Sequence, residues 1–157
     1  MKDLKLELQI KECQLDELSD ADRSLVCQAI EATDSSYAKY SQFRVGACLM
    51  LSNGVTIKGC NQENAAFPAG ICAERSAIFA AGAQYPDQAV TTLAIAARDT
   101  QGELTQEPVS PCGTCRQVMI ETETRFRQPI RILLYGQRRV YVVEGISHLM
   151  PLSFTEF

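Results

Sequence analysis

Residues 130–143 read Ile-Arg-Ile-Leu-Leu-Tyr-Gly-Gln-Arg-Arg-Val-Tyr-Val-Val, and they contain the plainest topological signal in the chain. Two runs rich in strand formers, 130–135 and 140–143, flank the short connection 136–139. A parallel crossover needs roughly a dozen residues or more. The sequence therefore predicts that the last two strands are antiparallel neighbours.

The segments upstream of this hairpin predict a sheet covered by helices. Residues 92–97 are almost continuously apolar, which is typical of a central strand buried on both faces. The Ala-rich run 72–81 predicts a helix that ends at Gly82, and Pro111 stands where a second helix can begin. We expect a mixed sheet with helices packed on it in one domain, 1–157.

The N-terminal half predicts a helix and a second hairpin. Strand formers in 43–51 and 55–60 flank Ser-Asn-Gly at 52–54, a strong turn signal. A helix is predicted to start at Ser19 or Asp20, because apolar residues then recur at helical spacing. Ahead of it, alternating apolar residues predict one additional short strand within residues 1–15, carried by Leu6, Leu8 and Ile10.

Composition favours small-molecule chemistry in a soluble protein. The 157 residues are 46% hydrophobic and 22% charged, with a formal net charge of -4 and no basic run longer than two residues. This charge argues against binding to a nucleic-acid backbone. The N-terminal residues lack the apolar core of a secretory signal, and no apolar stretch is long enough to cross a membrane. We expect a cytoplasmic protein with no membrane or nucleic-acid partner.

Seven cysteines are an odd number, which argues against a disulfide framework and raises the weight of metal binding or catalysis. Four of them stand singly in apolar patterns and are predicted to be small core residues. These four are Cys13, Cys27, Cys48 and Cys60.

The other three cysteines have the spacing of metal ligands. Cys112 and Cys115 lie three positions apart at a predicted helix start, where they share a face and where the free N–H groups favour thiolates. Cys72 stands at the start of the other predicted helix. Three protein ligands leave the fourth tetrahedral position of zinc open to water, as in catalytic sites.

The residues after Cys72 suggest how such a site would work. Zinc lowers the pKa of a bound water to about 7 in favourable sites, but three thiolates oppose this by adding negative charge. Arg75 is the candidate for compensating that charge through hydrogen bonds to sulfur. Glu74 lies beside the open position and would act as a proton shuttle.

Other interpretations of the cysteines remain open at this point. A bare Cys-x-x-Cys is more often a redox pair or half of a structural zinc site. A closed site would need a fourth ligand, for which Cys60 is the candidate, since the only histidine, His148, lies far along the chain. A catalytically silent, zinc-stabilised binding module is a further alternative.

Beyond the metal motif, the sequence resembles the small, homotetrameric type of cytidine deaminase. Three stretches carry the resemblance: 37–47, 59–67, and 72–75 together with 111–117. It implies a three-layer α/β/α fold with a mixed five-stranded sheet and one zinc ion per chain, in a homotetramer with shared active sites. It also implies hydrolytic deamination of cytidine and deoxycytidine, with release of ammonia, in pyrimidine salvage.

The resemblance also assigns roles to individual residues. Cys72, Cys112 and Cys115 would hold the metal, with Glu74 as the catalytic residue and Arg75 behind the sulfurs. The ribose would bind Asn61 and Glu63, a polar pair suited to a diol. The remaining expected contacts are Phe43 beside the nucleoside, the main chain of Ala73 at the pyrimidine O2, and Phe154 and Phe67 reaching a neighbouring subunit's site.

Two related activities are distinguished by the motifs. Deaminases of other aminopyrimidine nucleosides, such as blasticidin S, lack the Asn-x-Glu-Asn pattern that stands here at 61–64. Relatives that act on polynucleotides generally have histidine as the first zinc ligand and a helix between the last two strands. Cys72 and the short connection 136–139 argue against that group.

Overall fold

The computed structural model describes residues 1–155. In this range six strands and three α-helices form an α/β fold, with short 3-10 turns between them. In chain order they are β1 (Lys11–Cys13), α1 (Asp20–Ala32), β2 (Arg44–Leu51), β3 (Thr56–Cys60), α2 (Ala73–Gln84), β4 (Val90–Arg98), α3 (Gly113–Phe126), β5 (Arg131–Tyr135) and β6 (Val140–Glu144).

The six strands form one mixed sheet in the order β1-β6-β5-β4-β2-β3. β4 and β5 are parallel, and every other neighbouring pair is antiparallel. The predicted C-terminal hairpin is confirmed, with Ile132 opposite Val143. The expected count of five strands was one too few, because β1 adds an edge strand beside β6.

The additional N-terminal strand lies later than predicted. Residues 6–10 are not in a strand, and the pairing with β6 begins only where Lys11 meets Val142. The reason lies in β6, which ends at Glu144 before Gly145 turns the chain away with a φ of 93°. The residues before Lys11 therefore have little of β6 left to pair with.

Helices cover both faces of the sheet. Leu93 and Ile95 of β4 pack in the core under α2 and α3, whereas Ala94 and Ala96 pack in the core under α1. Successive side chains of a strand point to opposite faces, so a strand buried between two layers reads as one apolar run. The predicted three-layer architecture is confirmed.

Two predicted helix boundaries were wrong. α2 continues through Gly82 to Gln84, because Gly82 lies on an open helix face and does not adopt the left-handed conformation of a capping glycine. α3 begins at Gly113 rather than at Pro111. The start of α1 is as predicted, since the Ser19 side chain accepts a hydrogen bond from Asp22 N at 3.1 Å.

The prediction of four core cysteines holds for only one of them. Cys48 is fully buried, and burial raises the pKa of its thiol to about 11. Cys13 and Cys60 are half-buried, and Cys27 is exposed. Cys27 follows Leu25 and Val26, which already occupy the face of α1 that packs on the sheet.

Within residues 1–155, no helix is both long and apolar enough to span a membrane.

Candidate active site

Three sulfur atoms meet where α2 and α3 begin. Cys72 and Cys112 are the residues immediately before these helices, and both have extended backbone conformations. Cys115 lies in the first turn of α3. The three Sγ atoms lie within 4.8 Å of one another, and those of Cys72 and Cys112 are 3.9 Å apart. The prediction that these thiols gather is confirmed.

This cluster fits a tetrahedral zinc ion. Two sulfurs that each lie about 2.3 Å from such an ion are roughly 3.8 Å apart, close to the separation of Cys72 and Cys112. In residues 1–155 it is the one group of three or more metal-binding side chains that lie this close together. Cys60 is not a member, and His148 instead accepts a hydrogen bond from Gln9 N. Cys60, the candidate fourth ligand of a closed site, is therefore not part of this cluster.

Hydrogen bonds and burial move the pKa values of two of these thiols in opposite directions. Hydrogen bonds from Cys115 and Arg75 lower the pKa of Cys72 to about 5. The pKa of Cys115 is raised, because its thiol donates to Cys72 and is buried. The hydrogen bond between the two thiols therefore favours ionisation of Cys72 over that of Cys115, and metal binding requires that the ligand thiols lose their protons.

Arg75 faces the cluster in the way its sequence position suggested. Its Nη2 lies 3.8 Å from Cys72 Sγ, a contact that places positive charge beside the first thiolate. Its Nε is buried without a hydrogen-bond partner. Within residues 1–155, the guanidinium is therefore directed at sulfur and forms no ion pair with a carboxylate.

Glu74 is among the few buried charged residues of the described chain. It occupies the second position of α2, its side chain is 5% exposed, and burial raises the pKa of its carboxyl. A raised pKa brings a carboxyl closer to neutral pH, where it can both accept and release protons. Its burial therefore suits a proton shuttle.

A cavity of about 620 Å³ adjoins the cluster, which is within the size range of small-molecule sites. Cys72, Ala73, Glu74 and Cys112 form one end of it. The lining also includes Asn61, Glu63, Tyr40, Ser41, Phe67 and Ser110. Two of the three thiols, the acid and the predicted ribose-binding pair thus line one cavity, with Cys115 buried behind it.

Asn61 and Glu63 are both held by the start of β2 and the residues just before it. Asn61 Oδ1 accepts from Val45 N at 2.8 Å, and its Nδ2 donates to Phe43 O at 2.9 Å. Glu63 accepts from Tyr40 N at 2.7 Å and from the hydroxyl of Ser41. The Ser41 hydrogen bond lowers the pKa of Glu63, so this carboxylate stays ionised and can accept from a hydroxyl group.

The three predicted aromatic residues are placed differently. Phe67 is 77% exposed at the cavity, where its ring meets that of Tyr40 edge to face, with centroids 6.1 Å apart. Phe43 is half-buried and does not line the cavity, although its carbonyl holds Asn61. Phe154 is 64% exposed outside the cavity, and its carbonyl accepts from Gln117 Nε2 at 2.9 Å.

Sequence reasoning missed two contributors to the site. Tyr40 and Ser41 hold Glu63 from twenty-odd residues away, and their only signal was membership of the stretch 37–47. It also missed how the segment before Cys112 is positioned. Gln137 N donates to Thr105 O at 3.0 Å, and a Cβ on Gly136 would lie 2.5 Å from the carbonyl carbon of Glu107. The C-terminal hairpin thereby supports the segment that leads to the thiols.

The fold and the cavity define an α/β protein with an open three-thiol metal site beside a buried acid. A family model described as "Cytidine and deoxycytidylate deaminase zinc-binding region" matches residues 19–127. The chain belongs to this family of deaminases, which confirms the family that the sequence resembles.

Individual relatives agree with this assignment. A cytidine deaminase of Halalkalibacterium halodurans is 41% identical over 139 residues, which are 83% of this chain and 92% of the relative. The structure of cytidine deaminase from Burkholderia pseudomallei matches with a TM-score of 0.71 and 36% identity, covering 83% of this chain and 97% of that one. The structure of the Mycobacterium tuberculosis enzyme matches with a TM-score of 0.63 and 27% identity, covering 87% and 98%.

Proposed function

We propose that this chain hydrolyses cytidine and deoxycytidine to uridine and deoxyuridine, with release of ammonia. The observation that carries the proposal is one cavity lined by two thiols of the three-thiol cluster, a buried carboxyl, and the polar pair Asn61 and Glu63. The thiols and the acid suit hydrolysis. The polar pair suits a substrate that carries a sugar diol.

One zinc ion per chain would be held by Cys72, Cys112 and Cys115. When bound, zinc would lower the pKa of a water molecule so that hydroxide is available near neutral pH to attack C4 of the pyrimidine. Arg75 would offset the negative charge of the three thiolates through its contact with Cys72 Sγ at 3.8 Å.

Glu74 would move the protons of the reaction. It would take a proton from the attacking water and deliver it to N3. It would then carry the remaining proton of the new C4 hydroxyl group to the amino nitrogen, so that the C4–N bond breaks, the C4 carbonyl forms and ammonia leaves. Its burial supports this role, because a carboxyl sheltered from bulk water exchanges protons with the substrate and not with solvent.

The rest of the cavity would bind the nucleoside. Asn61 and Glu63 receive the ribose hydroxyls, the main chain of Ala73 reads the pyrimidine O2, and Phe43 supports the sugar through the carbonyl that holds Asn61. In the homotetramer that belongs to this proposal, exposed Phe67 and Phe154 would contact bases in neighbouring subunits. We place this single-domain enzyme, 1–157, in cytoplasmic pyrimidine salvage.

The direct test follows the ultraviolet absorbance of cytidine and deoxycytidine with zinc-loaded protein, with and without a chelator. We expect turnover of both nucleosides, loss of turnover after metal removal, and about one zinc per chain. A Cys115→Ser variant serves as the metal-deficient control. Zinc-loaded protein that deaminates neither nucleoside would contradict the proposal, and blasticidin S is then the next substrate to assay.

A further inference from the structure

Residues 4–10, which we call the N-terminal arm, present a row of exposed apolar side chains. Leu4, Leu6, Leu8 and Ile10 are 75%, 53%, 50% and 47% exposed. They alternate with Lys5, Glu7 and Gln9, so an extended arm has one aliphatic face and one polar face. A contiguous exposed row of large aliphatic residues is typical of an interaction surface.

The arm has the pattern of a strand but lacks a strand partner in its own chain. β1 begins only at Lys11, and within residues 1–155 no strand pairs with residues 4–10. The hydrogen bond from Gln9 N to His148 Nδ1, at 3.2 Å, holds the base of the arm near the turn after β6. The arm therefore continues from β1 beyond its pairing with β6, and Gln9 attaches its base to His148.

We propose that the arm pairs with the arm of a second copy of this chain as an antiparallel two-stranded ribbon centred on Leu6. In this register Leu6 faces Leu6 of the second copy, Leu4 faces Leu8, and Lys5 faces Glu7. The three leucines of each arm meet leucines and Lys5 meets Glu7, which are favourable cross-strand pairs, while Ile10 lies opposite Lys2.

Neighbouring registers lose this complementarity. A slip by one residue brings the aliphatic row of one arm against the charged row of the other. A centre on Lys5 or Glu7 places that charge against itself, and a centre on Leu8 places Lys5 opposite Lys11. Parallel in-register pairing aligns every charge with its own copy. Like charges directly opposite destabilise a strand pair, so among centres on residues 5–8 the charge pattern selects Leu6.

An isolated two-stranded ribbon is marginal in water, so its pairing is best detected by covalent capture in the full-length, zinc-loaded protein. A thiol introduced by Leu6→Cys would face its counterpart with Cβ atoms about 5 Å apart, close enough to form a disulfide after a small adjustment. The matched control is Leu8→Cys on the same face, whose two copies would lie about 13 Å apart along the strand.

With a mild oxidant, we expect the disulfide at position 6 to form at least about tenfold faster than that at position 8. Because the chain has seven other cysteines, the linkage is identified by non-reducing peptide mapping. Equal rates, or a faster reaction at position 8, would overturn the register. Failure of both positions to link would overturn the pairing.

Charge reversal provides an independent test in the Leu6→Cys background. Lys5→Glu or Glu7→Lys alone creates like-charge pairs on both sides of the centre, and we expect each to slow disulfide formation about three- to tenfold. The double variant restores complementarity and should recover the rate. If the double variant does not recover the rate of disulfide formation, then positions 5 and 7 do not face each other. No arm residue lines the cavity, so cytidine turnover is a separate readout of the proposed function.

Discussion

α2 and α3 begin alike but in different surroundings. Each is preceded by a cysteine with an extended backbone, and each contributes to the same thiol cluster. The first two residues of α2, Ala73 and Glu74, are buried. The corresponding residues of α3, Gly113 and Thr114, are exposed.

The cause of this difference is the contact between α2 and the sheet. At Gly59 of β3, a Cβ atom would lie 2.5 Å from both Ala73 O and Ala77 N, so the helix backbone rests directly on the strand. At Gly113 a Cβ would meet nothing within 4 Å. The same local motif thus yields a buried acid on one side of the metal site and an open rim on the other.

The largest predicted effect separates the second residues of the two helices. Glu74→Gln keeps the shape of the side chain but replaces the carboxyl group with an amide, which cannot accept and release a proton near neutral pH. We therefore expect kcat to fall about 10²- to 10⁴-fold while zinc is retained. Thr114→Ala, at the equivalent position of α3, should change kcat less than about twofold, because Thr114 is exposed and does not line the cavity. Steady-state kinetics with metal analysis measure both. Undiminished turnover in Glu74→Gln would remove Glu74 from the proposed mechanism.

The next effect separates the first arginine of each helix. Arg75 contacts Cys72 Sγ, whereas Arg116 Nε donates to Pro111 O at 2.8 Å and its Nη1 to Leu149 O. Arg75→Gln should therefore weaken zinc affinity about 10- to 100-fold in a chelator competition.

Arg116→Gln is the matched control for that experiment. It should lower the free energy of unfolding by about 1.5 to 3 kcal/mol, because it removes charged hydrogen bonds to two carbonyl groups, with little change in zinc affinity. If both variants lose zinc equally, then general positive charge near the cluster, and not the Arg75–sulfur contact, accounts for the affinity.

The sequence predicted those features that have local causes. The C-terminal hairpin follows from its short connection, and the proximity of Cys112 and Cys115 follows from their spacing at one helix start. The errors concern features that the local pattern leaves undecided. A glycine ends a helix where its backbone is left-handed, and Gly82 instead continues α2. The alternating pattern at residues 6–10 would form a strand only beside a partner strand.

The same distinction applies within the site. Cys72 and Glu74 are two positions apart, so one helix turn relates them and their joint role was readable from the sequence. The hydrogen bond from Ser41 to Glu63 joins residues 22 positions apart, and the close backbone contact at Gly59 joins β3 to α2. No periodicity encodes either contact, because each depends on how separate elements pack.

The contact between β3 and α2 can itself be altered by adding one methyl group. Gly59→Ala should lower the free energy of unfolding by about 1 to 3 kcal/mol, since the helix backbone must move away from the strand. Denaturant unfolding measures this change, and cytidine turnover reports whether Glu74 moves with the helix. Unchanged stability would mean that α2 is not fixed at this contact.

Gly82→Ala adds the same methyl group to the opposite, open face of α2 and has the smallest predicted effect. A Cβ there meets nothing within 4 Å, and the position lies inside the helix. Alanine should raise the free energy of unfolding by about 0.5 to 1 kcal/mol, because it loses less backbone entropy than glycine on folding. Opposite signs at Gly59 and Gly82 would show that the buried start of α2 depends on the contact with β3 and not on helix propensity, whereas destabilisation by both variants would contradict this explanation.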